Sequence, residues 1–347
     1  MVEQKLPKLK TRVRFPSPAP ETEMRFLPLL LLLFCTLADA AILKVGPGEK
    51  YPVPSAAAKE ARDNDIVEIE PGTYRGDVAV WNANGLVIRG TGTRPVLDAD
   101  GKSAEGKAIW VIKGNFTTVE NLAFENAAVR DRNGAGIRLE GRDLMVSNCL
   151  FRNNQNGILT GENPESSVYI LDSEFDHNGA GDGYSHNLYV GGVKKLVVRR
   201  CYLHGAVVGH DLKSRAYESV VTDNRIADDG GESSYEADFP NGGKVLLAFN
   251  VIQQGERAQN YTMVAYGEEG MRPSGNSFTA KGNTFLNQHD LGGVFIRLAK
   301  GNIETNLIGN VFYGNGLLPD IPGIREHNDF TMTPPGNANW RPNSRQN

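Results

Sequence analysis

The sequence has little cysteine, no run of basic residues, and few segments with the apolar spacing of an α-helix. Only three of the 347 residues are cysteines, and Cys35 lies in a segment that we expect to be removed. Cys149 and Cys201 occupy the same place in two copies of a repeat, 52 residues or two coils apart. Stacked strands would separate them by roughly 10 Å, which is too far for a disulfide bond. This excludes a disulfide-stabilised fold and predicts two buried, apolar thiols.

The net charge is small: 37 Lys and Arg against 41 Asp and Glu give −4. Residues 1–40 hold six basic and four acidic residues, so without them the count is 31 against 37, or −6. A mildly acidic chain without basic runs is not expected to bind nucleic acid. An acidic polysaccharide remains a suitable partner, because a local Lys and Arg cluster attracts it whatever the net charge.

One apolar run stands near the N-terminus. It follows Arg25 and ends at a small-x-small cleavage site, Ala38-Asp39-Ala40. This order predicts a signal peptide over residues 24–40 and a mature protein that starts at Ala41. A membrane anchor is the alternative, but the run is short for a bilayer span. We therefore expect a secreted protein, periplasmic or extracellular, without stable membrane insertion after cleavage.

A six-residue element recurs from about residue 86, with an apolar first residue, a polar or small fourth residue and an apolar sixth residue. Copies lie 23 to 33 residues apart, without helical segments between them. Short strands at this period predict an all-β parallel β-helix, a solenoid of about eight to ten coils. A β-propeller is the alternative, but its blades need four strands and a longer period. The sixth places are Phe124, Phe151, Phe175, Leu203, Ile226, Ile252, Phe285 and Phe312.

The fourth place of the last four copies is always asparagine. Stacked Asn side chains hydrogen-bond from coil to coil inside a turn, so a buried ladder is predicted there. Its members are Asn224, Asn250, Asn283 and Asn310.

The predicted solenoid covers residues 41–317. A short helix over Ala56–Arg62, with Ser55 as its N-cap, would cover the open N-terminal end. Residues 1–23 are expected to be a leader upstream of the signal peptide. Residues 318–347 are rich in proline and polar residues and predict an irregular tail, laid along the solenoid or disordered.

A polar face is predicted where three similar segments start at His186, His210 and Tyr235, 24 and 25 residues apart. If each is a strand on a successive coil, alternate residues point the same way. A solenoid does not need so many outward polar residues for folding. Alternating Lys and Asp also form ordinary ion-pair ladders, so the face is either a functional groove or a salt-bridged surface. The residues predicted to face outward are Asn187, Tyr189, Asp211, Lys213, Arg215, Glu236 and Asp238.

The chain resembles the right-handed parallel β-helix superfamily that includes pectate lyases, alginate lyases and mannuronan epimerases. The resemblance rests on the NxF-like ladder, the GAGI turn at Gly134–Ile137, and the segments GYSHNLYVG, GHDLKSRA and SYEADFPNGG. It implies a right-handed solenoid that acts on a uronic-acid-containing polysaccharide. The Asp-Pro-His-Asp of mannuronan epimerases is missing, and Asp211 interrupts the Gly-His-Gly of polygalacturonases after Gly209-His210. Non-catalytic members share the fold, so the fold does not by itself imply an activity.

β-Elimination on a uronate needs a neutralised carboxylate, a base for the C5 proton and an acid for the leaving oxygen. Arg215 is predicted to pair with the carboxylate in bidentate fashion. Lys213 is predicted to be the base if Arg215 lowers its pKa, and Tyr189 to protonate the leaving oxygen. The residues predicted to bind neighbouring parts of the substrate are Asn187, Arg138, Tyr235 and Arg297.

Three carboxylates of the polar face, Asp211, Glu236 and Asp238, are predicted to hold Ca²⁺ through their oxygens. His186 and His210, 24 residues apart, should stack. Parity places them with the inward leucines, which predicts an internal or turn-lining pair. If the strands begin after them, both rings lie at the edge of the cleft and His210 becomes a catalytic candidate.

The sequence favours a secreted, monomeric polysaccharide lyase. A C5-epimerase on the same fold is one alternative. A glycoside hydrolase using two carboxylates is another, but Lys213 and Arg215 would hold its general acid ionised. A non-catalytic carbohydrate-binding β-helix is the third, although Tyr189 and Tyr235 are the only aromatic residues near the face. Glu268 and Glu269, in a YGEEG segment after a later strand, are two further carboxylates predicted to reach the same groove.

Overall fold

The structure, a computed structural model, describes residues 40–272 and 274–342. Within these residues the chain is an all-β parallel solenoid of about ten turns with one helix, so the predicted β-helix is confirmed. That helix is neither long nor apolar enough to cross a bilayer. The predicted leader and the signal peptide up to Asp39 lie outside the described residues.

Each coil contributes strands to three parallel sheets, numbered here in the order in which the chain visits them. Sheet 1 has 12 strands: Ile42–Val45, Ile66–Ile69, Val87–Gly90, Thr117–Glu120, Leu144–Ser147, Asn163–Leu171, Val193–Arg199, Glu218–Thr222, Lys244–Ala248, Ser277–Lys281, Glu304–Ile308 and Ile324–Glu326. Sheet 2 has 11: Thr73–Arg75, Val96–Asp98, Ala123–Glu125, Leu150–Arg152, Glu174–Asp176, Tyr202–His204, Arg225–Ala227, Val251–Gln254, Thr284–Asn287, Val311–Tyr313 and Asp329–Thr331. Sheet 3 has 10: Ala79–Trp81, Ala108–Ile112, Ala135–Leu139, Asn156–Thr160, Leu188–Val190, Leu212–Ser214, Ala237–Phe239, Thr262–Tyr266, Gly293–Leu298 and Gly316–Leu317.

The core is built from columns of residues that hold the same place on successive coils. The sixth-place residues of the repeat pair in register along sheet 2, and all are buried. Phe124 stacks on Phe151 with ring centroids 5.0 Å apart, and Phe151 stacks on Phe175 at 4.8 Å. Such pairs contribute about 0.5–1.5 kcal/mol beyond the burial of their area, so they fix the register of the coils as well as filling the interior.

The predicted asparagine ladder is confirmed. Asn224 Nδ2 donates to Asn250 Oδ1 at 2.9 Å, and equivalent bonds join Asn250 to Asn283 and Asn283 to Asn310. Each of these side chains also donates to a backbone carbonyl of the preceding coil, and all are buried. In earlier coils the same place holds Cys149 and Cys201, which are buried and free, as predicted.

The N-terminal helix is Pro54–Glu60. It starts at the proline, which suits a first helical position, and it has no side-chain cap. Ser55 therefore lies inside the helix instead of capping it, and its backbone N–H donates to Asp77 Oδ2 at 2.9 Å. Ala57 and Ala58 bury the inner side of the helix against the first coils.

The solenoid continues to Thr331, beyond the predicted end at residue 317. Asn328 extends the asparagine ladder by one coil, because its Oδ1 accepts from Asn310 Nδ2 at 2.9 Å. The segment after Thr331 lies along sheet 2, where Arg225 Nη1 donates to the Ala338 carbonyl at 2.9 Å.

Candidate active site

The candidate site lies on the outer face of sheet 3, where three adjacent strands pair in register. Tyr189 pairs with Lys213, and Lys213 pairs with Asp238. Neighbouring strands are about 4.8 Å apart, so the three side chains form one row along the solenoid. The alternate residues of these strands are fully buried in the core. The inward and outward parity therefore holds within the strands themselves.

Lys213 is enclosed by carboxylates. Its Nζ lies 3.1 Å from Asp238 Oδ2 and 2.8 Å from Glu269 Oε1, and only 9% of its side chain is exposed. The prediction of an open groove at Lys213 is therefore wrong, because the loop after strand Thr262–Tyr266 places Glu269 over the amine.

Glu269 also binds Arg215, whose Nη2 lies 2.5 Å from Glu269 Oε2. Arg215 Nε donates to Tyr189 Oη at 3.0 Å, and its Nη1 donates to Asn241 Oδ1 at 2.6 Å. The Glu269 carboxylate thus bridges Lys213 and Arg215 beside the Tyr189 hydroxyl. The Glu269 side chain is 47% exposed. A uronate carboxylate would require the same partners, a point charge and a guanidinium fork.

His186 and His210 stack with ring centroids 4.5 Å apart and 15° between their planes. Their strands begin at Leu188 and Leu212, so the rings belong to the preceding turn and not to the leucine column. His186 packs edge-on against Tyr189 at 5.2 Å. The predicted stacked, turn-lining pair is confirmed: both rings are buried, and they lie at the edge of the site and not in the leucine column.

Hydrogen bonds fix the tautomer of both rings. His186 Nδ1 accepts from the His210 backbone N–H at 2.9 Å, and His210 Nδ1 accepts from the Tyr235 N–H at 3.3 Å. Burial lowers the pKa of His186 to about 3 and the pKa of His210 well below its usual value, so both rings are neutral at pH 7. Neutral His210 therefore carries its proton on Nε2, which lies 3.5 Å from Asp238 Oδ2.

The charges of the row do not make Lys213 a base. Burial tends to lower the pKa of Lys213, but Asp238 and Glu269 more than offset this effect, and the pKa is raised. The predicted lowering by Arg215 is therefore wrong for this arrangement. Burial raises the pKa of Asp238 to about 6, against the opposing effect of Lys213.

Two arginines flank the row on the same outer face. Arg138 is two strands from Tyr189 on one side, and Arg297 is two strands from Asp238 on the other. At about 4.8 Å per strand, each lies roughly 10 Å from the row along the solenoid axis. Tyr235, half-buried, packs against His210 with centroids 4.8 Å apart.

Asn187, Asp211 and Glu236 point into the corner between sheets 2 and 3 and are fully buried. The prediction that they face solvent is wrong. Each stands one residue before its strand, where the chain is still turning, so the alternation of an extended strand does not reach it. Asn187 Nδ2 donates to Asp211 Oδ1 at 2.7 Å, which continues a ladder of buried amides from Asn154 through Asn178.

The predicted calcium ligands are divided between the interior and the outer face. Asp211 and Glu236 lie inside near Asp228, whereas Asp238 faces Lys213. The pKa values of Asp211 and Glu236 are both raised well above their usual values. Burial is the larger cause, and the negative charge of Asp228 is the second. The three predicted ligands therefore do not fit one calcium ion. In the part of the chain that the structure describes, the buried carboxylate oxygens without a hydrogen-bond partner are Asp211 Oδ2, Asp228 Oδ2, Glu236 Oε1 and Glu236 Oε2.

The outer face also includes residues that sequence reasoning missed or underweighted. Asn241 follows the Asp238 strand and binds Arg215. Tyr217, two residues after Arg215, is 47% exposed and lies under Arg272, whose Cζ is 3.6 Å from the ring centroid. These side chains line an open cleft next to Arg215.

Comparisons with known proteins agree with this architecture. The family profile described as right handed beta helix region matches residues 77–226. No curated protein sequence matches the chain. The structure is similar to an alginate lyase from Paenibacillus sp. str. FPU-7, with 15% identity and a TM-score of 0.59, over 83% of this chain and 99% of that one. It is also similar to pectate lyase Pel9A, with 12% identity and a TM-score of 0.56, over 83% of this chain and 79% of that one.

A third similar structure is the PL6 family alginate lyase AlyGC, with 15% identity and a TM-score of 0.50, over 84% of this chain and 40% of that one. The chain has the right-handed parallel β-helix fold that the profile describes and that these solved structures share. At these identities the likeness establishes the fold, and function has to be argued from the site.

Proposed function

We propose that this protein is a polysaccharide lyase that cleaves a uronic-acid-containing polysaccharide by β-elimination. The observation that carries the proposal is the carboxylate of Glu269 held between Lys213 and Arg215, beside the Tyr189 hydroxyl. The carboxylate of the substrate takes the place of Glu269 when the loop moves aside. Two cations then neutralise its charge, which makes the neighbouring C5 proton more acidic.

Tyr189 is the proton-transfer group in this proposal. Arg215 Nε donates to its oxygen, so the guanidinium stabilises the negative charge on that oxygen when the proton has left. The phenolate takes the C5 proton, the C4–O bond breaks as the C4=C5 double bond forms, and the hydroxyl returns the proton to the leaving oxygen. Lys213 is then a charge neutraliser instead of the predicted base.

Asp238 and His210 position the lysine. Asp238 lies 3.1 Å from Lys213 Nζ and 3.5 Å from His210 Nε2, so it sits between the amine and the imidazole. His210 touches Asp238 and Tyr235, and it reaches the substrate only through them. In this proposal it is a positioning residue, in place of the catalytic role predicted from the sequence.

Burial of Asp211 and Glu236 removes them from any acid and base pair of a glycoside hydrolase. Asp238 and Glu269 remain on the face, and both are ion-paired to Lys213. A non-catalytic uronate-binding protein is the second candidate, because the raised pKa of Lys213 keeps the amine charged and a charged pair suffices to bind a carboxylate. It uses the same cation pair and differs only in the absence of turnover.

Export is part of the proposal, because a polymer substrate lies outside the cytoplasm. It is supported by the predicted signal peptide over residues 24–40. N-terminal sequencing of the exported protein should give Ala41 as the first residue. A secreted chain that retains Met1 would contradict this part of the proposal.

A panel of uronate polymers tests the reaction, with the ultraviolet absorbance of the C4=C5 product as the readout. Wild-type protein should form this product from at least one polymer. Tyr189→Phe and Arg215→Ala should each lower the rate on the order of 100-fold, whereas Tyr217→Phe, outside the row, should change it little. Saturable binding of a uronate polymer without formation of the unsaturated product would show that the protein is a non-catalytic binding protein. Deuterium incorporation at C5 from heavy water without cleavage would establish the epimerase.

A further inference from the structure

We propose that the outer face of sheet 2 carries a divalent transition-metal site formed by Asp176, His177 and His204. One ligand atom from each residue lies within 4.8 Å of the other two. The candidate active site is on sheet 3, so a metal at this place serves a separate role. The ligands come from two successive coils, and the bound ion therefore joins those coils.

The fold brings the three residues together. Asp176 and His204 are register partners on adjacent strands. Consecutive residues of a strand point to opposite faces, but His177 has a φ of 52°, which ends the strand and turns its ring back toward Asp176. Gly205 on the next coil leaves room for that ring, because a Cβ there would lie 3.2 Å from His177 Cε1.

Glu174 orients the second imidazole. His204 Nε2 lies 3.2 Å from Glu174 Oε1, and donating its proton there leaves a lone pair on Nδ1. That Nδ1 lies 3.6 Å from Asp176 Oδ1. A cation that displaces the His177 proton from Asp176 Oδ1 would then meet an acceptor atom from each of the three residues. A carboxylate behind a metal-bound histidine is the usual arrangement that fixes the tautomer and direction of the ring.

The surrounding charge suits a dication. Arg152 Nε lies 3.1 Å from Asp176 Oδ2, and His177 Nδ1 contacts Asp176 Oδ1, so a metal would take the place of the proton between that ring and the carboxylate. Arg152 also lies 3.9 Å from Glu125. Three carboxylates (Glu125, Glu174 and Asp176) against this one guanidinium leave two negative charges on the face.

The donor set identifies the class of metal. Two imidazole nitrogens and one carboxylate oxygen suit Zn²⁺ and its first-row neighbours, whereas Ca²⁺ and Mg²⁺ prefer sites made of oxygen alone. Three protein ligands complete a tetrahedral zinc site with one water. We therefore assign Zn²⁺ as the physiological ion and a clamp between coils as its role.

Zn²⁺ titration of the tag-free protein by calorimetry tests the proposal. One Zn²⁺ per chain should bind, and binding should be lost in His177→Gln and in His204→Gln. Glu174→Gln should weaken it by about 10- to 100-fold, as expected for a residue that orients a ligand. His289→Gln, in a loop next to sheet 3, is the matched control and should bind as wild type does. Co²⁺ in place of Zn²⁺ should give the absorption spectrum of a tetrahedral site.

Stability supplies a second readout. Zn²⁺ should raise the Tm of wild type and of His289→Gln, and leave the Tm of His177→Gln unchanged. His177 is 58% exposed on its side chain, so this variant should fold even if His204→Gln does not. The proposal is overturned if wild type binds no Zn²⁺ at micromolar concentrations, or if His177→Gln binds it as tightly as wild type. The face would then be an ion-pair ladder only.

Discussion

Removing the carboxylate of Glu269 should strengthen the binding of uronate substrates. In the structure this carboxylate occupies the partners that a substrate carboxylate needs, Lys213 and Arg215. It is an internal competitor, and a substrate has to break both ion pairs before it can bind. Glu269→Ala should therefore lower KM. It should leave kcat little changed, because the Glu269 carboxylate takes no part in the proposed proton transfer.

The size of the effect follows from the exposure of Glu269. Its side chain is 47% exposed, and ion pairs open to solvent contribute about 0.2–1 kcal/mol each. Two pairs then cost a substrate roughly 0.4–2 kcal/mol. At about 1.4 kcal/mol for a factor of ten, KM should fall about 2- to 30-fold.

KM and kcat are measured from the ultraviolet absorbance of the unsaturated product on a defined uronate oligomer. Glu268→Ala is the matched control, because Glu268 lies next in the chain but faces Arg297 at 3.7 Å instead of the cation pair. It frees only Arg297, roughly 10 Å from the row, so it should lower KM less than Glu269→Ala does. A higher KM or a lost turnover in Glu269→Ala would refute the competitor and would mean that Glu269 works on the substrate directly.

Three further predictions concern buried groups. Burial raises the pKa of the Glu236 carboxyl in the folded protein. The protonated carboxyl therefore favours the folded state fully at pH values below the pKa of Glu236 in the unfolded chain, and this stabilisation is lost as pH rises through the pKa in the folded protein. Glu236→Gln should therefore raise the free energy of unfolding at pH 8 by about 1–3 kcal/mol, and urea titrations that show no gain over wild type would contradict this. Asn250→Ala breaks the asparagine ladder and should lower the free energy of unfolding by about 1–3 kcal/mol, again by urea titration, whereas an unchanged midpoint would mean that the ladder does not stabilise the coils. The pKa of Asp238 is raised to about 6 by burial, so the lyase rate should increase as pH rises through 6 and Asp238 ionises against Lys213. Asp238→Asn should lose this inflection of the pH–rate profile. If the inflection near pH 6 persists in Asp238→Asn, another group causes it.

The fold could be predicted because its signal is local and repeated. Phe124, Phe151 and Phe175 recur at the period of one coil, and residues at the same place on adjacent coils must meet. Alternation within a strand was also enough to place Tyr189 and Lys213 in one outward row.

Alternation failed at the corners. Asp211 and Glu236 stand one residue before their strands, and no residue type marks where a strand of three residues begins. The sequence therefore could not show that the chain turns these carboxylates inward. The same uncertainty separated the two interpretations of the histidine pair, because the side on which His210 lies depends on where its strand starts.

The loop carboxylate could not be predicted for a different reason. Glu269 meets Lys213 across 56 residues of sequence, through a loop whose path is set by packing and not by a repeat. The two glutamates of YGEEG marked the place but not which one reaches the cations. The protonation of Lys213 depends on this contact, so the assignment of the lysine as a base failed with it.

The central claim is that Lys213 and Arg215 hold the carboxylate of a substrate, and the most direct measurement compares a free uronate polymer with its methyl-esterified form. For wild type, kcat/KM should be higher on the free acid, because the ester has no charge for the two cations to bind. Arg215→Ala should lose activity on the free acid on the order of 100-fold and lose most of the preference between the two polymers. Equal rates of wild type on both polymers, or an undiminished preference in Arg215→Ala, would contradict the account.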